Sequence, residues 1–186
     1  MRITSGNLKN RLILSREGRD TRPTLERLKE AIYSIIYDKI NEAKFLDLYA
    51  GTGNMSFEAL SRGAKKAILI EQDVKALKVI IDNVERLNLS SKCRAYKNNV
   101  LRAIEILENK NEKFDIIFMD PPYAKNLTTE TIEKISNCNL LEKDGVIICE
   151  HGKYEKLADE IGQFIKYDER DYNRKIVTFF KYKLGE

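Results

Sequence analysis

Asp120, Pro121, Pro122 and Tyr123 follow directly on the apolar run Phe114–Met119, so a buried strand gives way within one residue to an acid, two prolines and a ring. Proline lacks a backbone N–H and fixes φ. Neither Pro121 nor Pro122 can therefore continue a sheet ladder, and the chain must leave the sheet at Asp120. In an open α/β sheet the carboxyl ends of the strands border the crevice where ligands bind. This turn would carry a carboxylate, free carbonyl oxygens and an aromatic face into that crevice, the equipment for gripping a planar group that bears N–H donors. The competing reading is a plain loop exit in which Asp120 caps a turn and Tyr123 covers apolar surface.

A second constellation lies upstream. Asp47-Leu48-Tyr49-Ala50-Gly51-Thr52-Gly53-Asn54 runs from a strand into a helix. Glycines one residue apart, Gly51 and Gly53, permit a tight turn and let a ligand approach the backbone from Ala50 onward. Glu71 ends the next strand, about 20 residues past the glycines, the spacing at which an acid reaches a ribose diol. A nucleoside-bearing cofactor fits this arrangement. Asp47 stands where a pyrophosphate would be repelled but a cation welcomed, and no Gly-x-x-x-x-Gly-Lys-Ser/Thr loop is present. S-adenosylmethionine carries a sulfonium, an ammonium group and an adenosine, so Asp47 would serve its methionine end and Glu71 its ribose. Asn99 and Val100, after the third strand of the body, could offer an amide and a backbone N–H to adenine. Asn98 and Asn99 suit a helix N-cap equally well, and the two roles are compatible.

These residues need a sheet to hold them together. Apolar runs at 45–49, 66–71, 92–97, 114–119, 145–150, 164–170 and 175–183 read as strands. Helical periodicity falls near 54–62, 73–88, 99–109, 128–137 and 153–162. Strands alternating with helices of this length predict βαβ units and a mainly parallel seven-stranded sheet covered on both faces. The last two strands, with the bend at 168–173, add an antiparallel hairpin. Ahead of this body, Arg2–Ser5 and Arg11–Leu14 around Gly6-Asn7 suggest a small β-hairpin arm. Thr24 reads as the N-cap of a helix whose Leu25, Leu28, Ile32, Ile35 and Ile36 share one face. The division is thus an arm over 1–23 and an α/β domain over 24–186.

The chain has 186 residues, enough for one domain with a core of its own. Its three cysteines, Cys93, Cys138 and Cys149, are widely spaced, and its single histidine is His151. Neither a disulfide framework nor a zinc site fits that pattern, and no metal is expected. His151, between Glu150 and Gly152, reads as a solvated turn residue. No apolar run reaches the roughly 18 residues of a membrane span, and the first residues lack a signal-peptide core, so a cytoplasmic protein is expected. The net charge of +4 is concentrated: Arg2, Lys9, Arg11, Arg16, Arg19 and Arg22 face only Glu17 and Asp20 within residues 1–22. A basic end on a neutral body suits a polyanionic partner, although an ordinary solvated tail has the same composition.

Taken in order, the Arg2-Ile3 opening, Arg22-Pro23-Thr24 with Arg27, Leu46 to Gly53, Glu58-Ala59-Leu60-Ser61-Arg62-Gly63 and Asp120-Pro121-Pro122-Tyr123 resemble the RsmD family of bacterial 16S ribosomal RNA guanine-N2 methyltransferases. Asn173 stands where that family often has a glycine. The resemblance implies a Rossmann-like class I methyltransferase fold, S-adenosylmethionine as donor, and 16S rRNA in an assembling small ribosomal subunit as partner, met by a monomer. It directs Asp120, Pro121 and Tyr123 to catalysis. Asp47, Ala50, Gly51, Gly53, Glu71, Asn99 and Val100 would hold the cofactor, and Arg2, Lys9, Arg11 and Arg22 the RNA. One of Arg22, Thr24 and Arg27 would bind the cofactor carboxylate, unless that group only caps the helix. An exocyclic amine is a weak nucleophile because its lone pair is delocalised into the ring. Hydrogen bonds to Asp120 Oδ and the Pro121 carbonyl would turn the lone pair outward, and Tyr123 would stack the base. Adenine N6, cytosine N4 and a protein glutamine amide present similar nitrogens. A non-catalytic RNA-binding module is the alternative of another class.

Overall fold

The computed structural model describes residues 1–15, 23–122, 126–173 and 175–183, and the side chains within 23–25 lie outside that description. Among the described residues, five α-helices flank one sheet. In chain order the elements are α1 (Pro23–Ile35), β1 (Lys44–Leu48), α2 (Asn54–Ser61), β2 (Lys66–Glu71), α3 (Val74–Arg86), β3 (Cys93–Lys97), α4 (Val100–Asn109), β4 (Phe114–Met119), α5 (Leu127–Asn137), β5 (Leu141–Gly152), β6 (Glu160–Ile161), β7 (Phe164–Tyr172) and β8 (Lys175–Tyr182). The sheet order is β3-β2-β1-β4-β5-β8-β7-β6. The strands from β1 to β5 pair in parallel, while β8, β7 and β6 run antiparallel. The parallel body with its C-terminal antiparallel hairpin agrees with the Rossmann-like class I fold that the resemblance implies.

Alternation along the strands divides the core. Phe45, Ile116, Phe118, Ile148, Val177 and Phe179 pack with residues of α1, α2 and α3, and Ile3 and Ile13 join them. Leu46, Leu48, Ile117, Met119, Ile147 and Phe180 pack on the other face with residues of α4 and α5. Side chains two apart on a strand share a face. Asp47 of β1, Glu150 of β5 and Lys175 of β8 therefore sit on the α1–α3 face, in line with core residues. Polar groups in such rows are costly unless paired or used.

Four expectations change. Residues 153–162 form no helix: the chain turns after Gly152 and adds β6, so the sheet has eight strands. The segment spaces Tyr154, Leu157, Ala158 and Ile161 as a helix face would, but only Leu157 and Ile161 are buried, Tyr154 is 99% exposed, and Gly162 takes φ +56 against Ser136. Two buried residues make too narrow a stripe to hold a helix on the sheet. The final bend shrinks to a tight turn at Asn173, φ 64, because Asp168–Tyr172 pair with β8 despite their polarity. Asn173 meets the positive φ that otherwise favours glycine. His151 lies inside β5, 3% exposed, with Nε2 2.8 Å from Thr178 Oγ1 and Nδ1 3.2 Å from the Gly152 carbonyl. Burial pushes its pKa down. Finally, α1 begins at Pro23, so Thr24 stands in the first turn rather than at the N-cap.

In residues 1–15 the two expected segments pair antiparallel about the bridge Arg2 with Leu12, with Ile3 N–H donating to the Arg11 carbonyl at 3.0 Å and Ile13 N–H to the Met1 carbonyl at 2.9 Å. This small hairpin lies on α2. Leu8 N–H donates to Ser61 Oγ at 2.9 Å and Asn7 N–H to the Ser61 carbonyl at 2.8 Å. Gly6 has φ +81, and a Cβ there would come within 1.8 Å of the Ser61 carbonyl oxygen, so this approach requires glycine. Among the described residues no helix is long and apolar enough to cross a membrane.

Candidate active site

The sheet order reverses between β1, which continues to β2, and β4, which continues to β5. A crevice opens at the carboxyl ends of strands that diverge in this way. Leu48 pairs with Met119, so the glycine turn after β1 and the prolines after β4 emerge side by side. Between them lies a cleft of about 670 Å³, bordered by Asp47, Ala50, Gly51, Glu71, Val100, Asp120 and Pro121. Small-molecule sites commonly span about 300–1,000 Å³.

The turn is built from left-handed residues: Tyr49 at φ 66, Gly51 at φ 60 and Gly53 at φ 77. A positive φ is a true outlier for a bulky residue, and such outliers persist where surrounding contacts enforce them. Tyr49 is held by its hydroxyl, 2.8 Å from Thr131 Oγ1. Thr131 itself donates to the Leu127 carbonyl, so Tyr49 is the donor. A Cβ on Gly53 would strike the Phe57 ring at 2.7 Å, whereas one on Gly51 would meet nothing within 4 Å and point into open space. Gly53 thus closes the turn onto α2 outside the cleft lining, and Gly51 leaves room above the backbone.

Glu71 is tied to that turn. Its Oε2 accepts from Gly51 N–H and its Oε1 from Asp73 N–H, both at 2.8 Å. A carboxylate oxygen has two lone pairs, so each keeps capacity for a ligand hydroxyl. Asp47 is 1% exposed and accepts from Ser56 Oγ at 2.6 Å. Burial pushes its pKa up to about 7, opposed by the Ser56 hydrogen bonds and aided by the charges of Asp120 and Glu71. A buried acid with one hydroxyl partner at a cleft wall is stabilised by any cation that reaches it. The cationic methionine end of S-adenosylmethionine beside Asp47 and its ribose beside Glu71 fit these residues.

On the opposite lip, Asp120 Oδ2 and Oδ1 lie 3.3 and 3.4 Å from Lys175 Nζ. Lys175 also contacts Glu150 Oε1. Burial pushes the Glu150 carboxyl above its ordinary range, Asp120 adds to the rise, and Lys175 opposes it. Sequence reasoning passed over Lys175 and Glu150. Their meeting depends on the antiparallel register Gly152 with Lys175, which no local pattern reveals.

The back wall was missed as well. Lys29, 2% exposed, donates to the Arg2 carbonyl at 2.7 Å and to Asn54 Oδ1 at 3.0 Å, and pairs with Glu58 at 2.8 Å. Glu58 also accepts from Thr4 N–H, Thr4 Oγ1, Ser5 N–H and Arg62 Nε. Lysine within the apolar stripe of α1 and glutamate between Phe57 and Ala59 were the available signal. This knot brings Met1 and Ser15 to the cleft wall.

Other site residues lie elsewhere. Asn99 is exposed and caps α4, accepting from Leu101 and Arg102 N–H at 3.0 and 3.3 Å, while Val100 lines the cleft. Arg27 is exposed and absent from the wall, to which α1 contributes Leu28, Lys29 and Ile32. Arg2, Lys9 and Arg11 are exposed. Tyr123 and Arg22, and the side chain of Thr24, lie outside the described residues.

A family model described as conserved hypothetical protein 95 matches residues 1–181. Bacillus subtilis YlbH is 32% identical over 181 residues, 97% of this chain and 98% of its own. Escherichia coli ribosomal RNA small subunit methyltransferase D is 34% identical over 145 residues, covering 78% of this chain and 68% of that protein. The solved structure of Escherichia coli yhhF superposes with a TM-score of 0.86 at 27% identity, covering 98% of each chain.

Proposed function

We infer, because the chain belongs to the RsmD family of S-adenosylmethionine-dependent ribosomal RNA methyltransferases, that it methylates the exocyclic N2 amine of a guanine in 16S rRNA. The observation that carries the choice of an amine is the placement of Asp120 and Pro121 across one cleft from Asp47, Gly51 and Glu71. An acceptor pair for N–H groups then faces the seat of a cation.

When bound, S-adenosylmethionine supplies an electrophilic methyl carbon with a neutral thioether as leaving group. The chain supplies the alignment. Glu71 and the left-handed turn at Gly51 hold the ribose, and Asp47 holds the cationic end. The Asp120 carboxylate and the Pro121 carbonyl accept the two N–H bonds of the target amine, which turns the lone pair toward the methyl and stabilises charge developing on nitrogen. The proton released from that nitrogen passes to Asp120. Tyr123 is the proposed stacking face for the extruded base. The basic arm, residues 1–23, docks RNA through Arg2, Lys9, Arg11 and Arg22, and residues 24–186 form the methyltransferase domain. The substrate is proposed to be an assembling small subunit in the cytoplasm, met by a monomer.

The test is Asp120→Asn, followed by methyl incorporation into small-subunit particles that lack the mark and by nucleoside analysis of the product. Expected are N2-methylguanosine from the parent and a loss in kcat of about 10²–10⁴-fold in the variant. Undiminished turnover removes Asp120 from the mechanism, and N6-methyladenosine or N4-methylcytidine as product replaces the target.

A further inference from the structure

Lys175 belongs to none of the motifs, yet its ammonium group touches both oxygens of the Asp120 carboxylate and one of Glu150. We propose that Lys175, anchored by Glu150, is a positioning residue for methyl transfer that holds the Asp120 carboxylate ionised and aimed at the target amine. The proposal rests on the reading of Asp120 given above.

The geometry is that of a clamp. The Glu150 side chain is 8% exposed and Lys175 26%, so the pair is fixed between β5 and β8, whereas Asp120, at 42%, extends toward the opening. Lys175 and Glu150 share a sheet face, and the register Gly152 with Lys175 sets the ammonium beside the end of β4. A contact to both Asp120 oxygens limits rotation of the carboxylate, and misplacement of about 1 Å in such a group costs on the order of 10²-fold in rate.

The charge count fits the chemistry. An unaccompanied ammonium beside an amine that gains positive charge would oppose the reaction. Glu150 offsets it by setting a second carboxylate on the same ammonium. As a purely structural device the arrangement is poor, because partly buried ion pairs regain little beyond their desolvation cost. Among the described residues, the charged and titratable groups around it include Asp47 from β1, which feels Asp120, and the Cys149 thiol on β5, which feels Glu155, Asp120 and Glu150. Burial lowers the Lys175 pKa, but Glu150 and Asp120 outweigh it, and the group is held above its ordinary value as a cation.

The experiment follows kcat between pH 5 and 9 for the full chain, Lys175→Met, Lys175→Arg and Glu150→Gln on unmethylated small-subunit particles. Binding of S-adenosylmethionine is measured alongside. Loss of the cation in Lys175→Met raises the carboxylate pKa, so the acidic limb moves to higher pH and kcat falls about 10²-fold. Cofactor affinity changes less than kcat, since the hydrogen bonds of Lys175 go to Asp120 and Glu150 rather than to Asp47 or Glu71. Lys175→Arg recovers most of the loss. In Glu150→Gln the ammonium serves Asp120 alone, so the limb moves to lower pH. These opposite displacements are a signature that a structural role would not produce. Profiles that keep the parent's midpoint in both Lys175→Met and Glu150→Gln overturn the proposal. If Lys175→Met does not fold, Lys175→Arg and Glu150→Gln carry the same reading. Asp120→Asn separates the two levels: an active Asp120→Asn sinks the function reading, and an inactive one beside an unshifted Lys175→Met sinks only this inference.

Discussion

Two charge clusters flank the cleft, with the same residue types in inverse proportion. Behind it, one carboxylate, Glu58, receives two cations, Lys29 and Arg62, together with two backbone N–H groups and the Thr4 hydroxyl. At the front, one cation, Lys175, is shared by two carboxylates, Asp120 and Glu150. Burial pulls the Glu58 pKa up, but the hydrogen bond and charge of Lys29, then Thr4 and Arg62, outweigh it and the group ends below its ordinary value. Burial pulls Glu150 up and it stays up. A donor-rich knot is complete without a ligand and fastens chain to chain. In the acceptor-rich one two carboxylates share the Lys175 ammonium, and under the function proposed above they face a nitrogen that gains positive charge.

The largest expected effect is at the rear knot. Glu58→Ala leaves the Lys29 ammonium, 2% exposed, without its carboxylate and frees Thr4 and Ser5 from α2. Removing one partner of a buried pair costs about 3–5 kcal/mol, which at this length is a fall in Tm of roughly 10 °C. Because the folded pKa of Glu58 lies below 4.5, its contribution is fully present above that pH and is lost as pH falls through the folded value. Parent and variant should therefore converge in acid. A gap at pH 7 under about 1 kcal/mol, measured by denaturant unfolding, would remove the contrast between the clusters.

Asp47 tests the same contrast with the sign reversed. Its pKa rises from 3.8 to about 7 on folding, so the folded state loses stability as pH climbs between those values, and the penalty is complete above 7. The ceiling is about 4 kcal/mol, and an amide in its place recovers about 1–2 kcal/mol of it. Asp47→Asn should thus be more stable than the parent at pH 8 and equal to it near pH 4, while binding S-adenosylmethionine more than about tenfold more weakly at pH 8. The parent's own affinity should fall about tenfold for each pH unit below 7. A pH-independent affinity would mean that Asp47 does not face the cationic end.

What the chain disclosed in advance follows the range of the interactions. The glycine turn, Glu71 and Asp120 were legible because each is set by its own strand end, and β1 and β4 declare themselves by apolar runs. Lys175, Glu150 and Lys29 were not, since each acquires its role from a partner 25 to 55 residues away through sheet register or helix docking. The helix expected over 153–162 failed for a related reason. Leu157 and Ile161 satisfy a helical spacing, but the edge of β7 offers them a better place, with Ile161 opposite Phe164. His151 looked solvated because polar neighbours surround it in sequence, while in the sheet it faces Ile176 across the ladder.

The smallest effect on the protein itself should come from the outer face of residues 1–15, which separates charge from anchoring within one segment. Lys29 takes the carbonyl of Arg2, not its side chain, and Glu58 takes Thr4 and Ser5, so the knot does not depend on the arm's own charges. The Arg2 side chain is 57% exposed and only brushes Glu26 at 3.5 Å, and Arg11 reaches the Arg86 carbonyl at 3.1 Å from an exposed position. Replacing Arg2, Lys9 and Arg11 together by glutamine should leave Tm and cofactor affinity where they are. Each phosphate contact adds roughly one to the slope of log affinity against log salt, so the slope for RNA should become shallower by about 2–3. A fall in Tm would show that these charges belong to the rear knot after all. An unchanged slope with an unchanged Tm would show that RNA docks on another face, and that residues 1–15 serve only to wall the cleft.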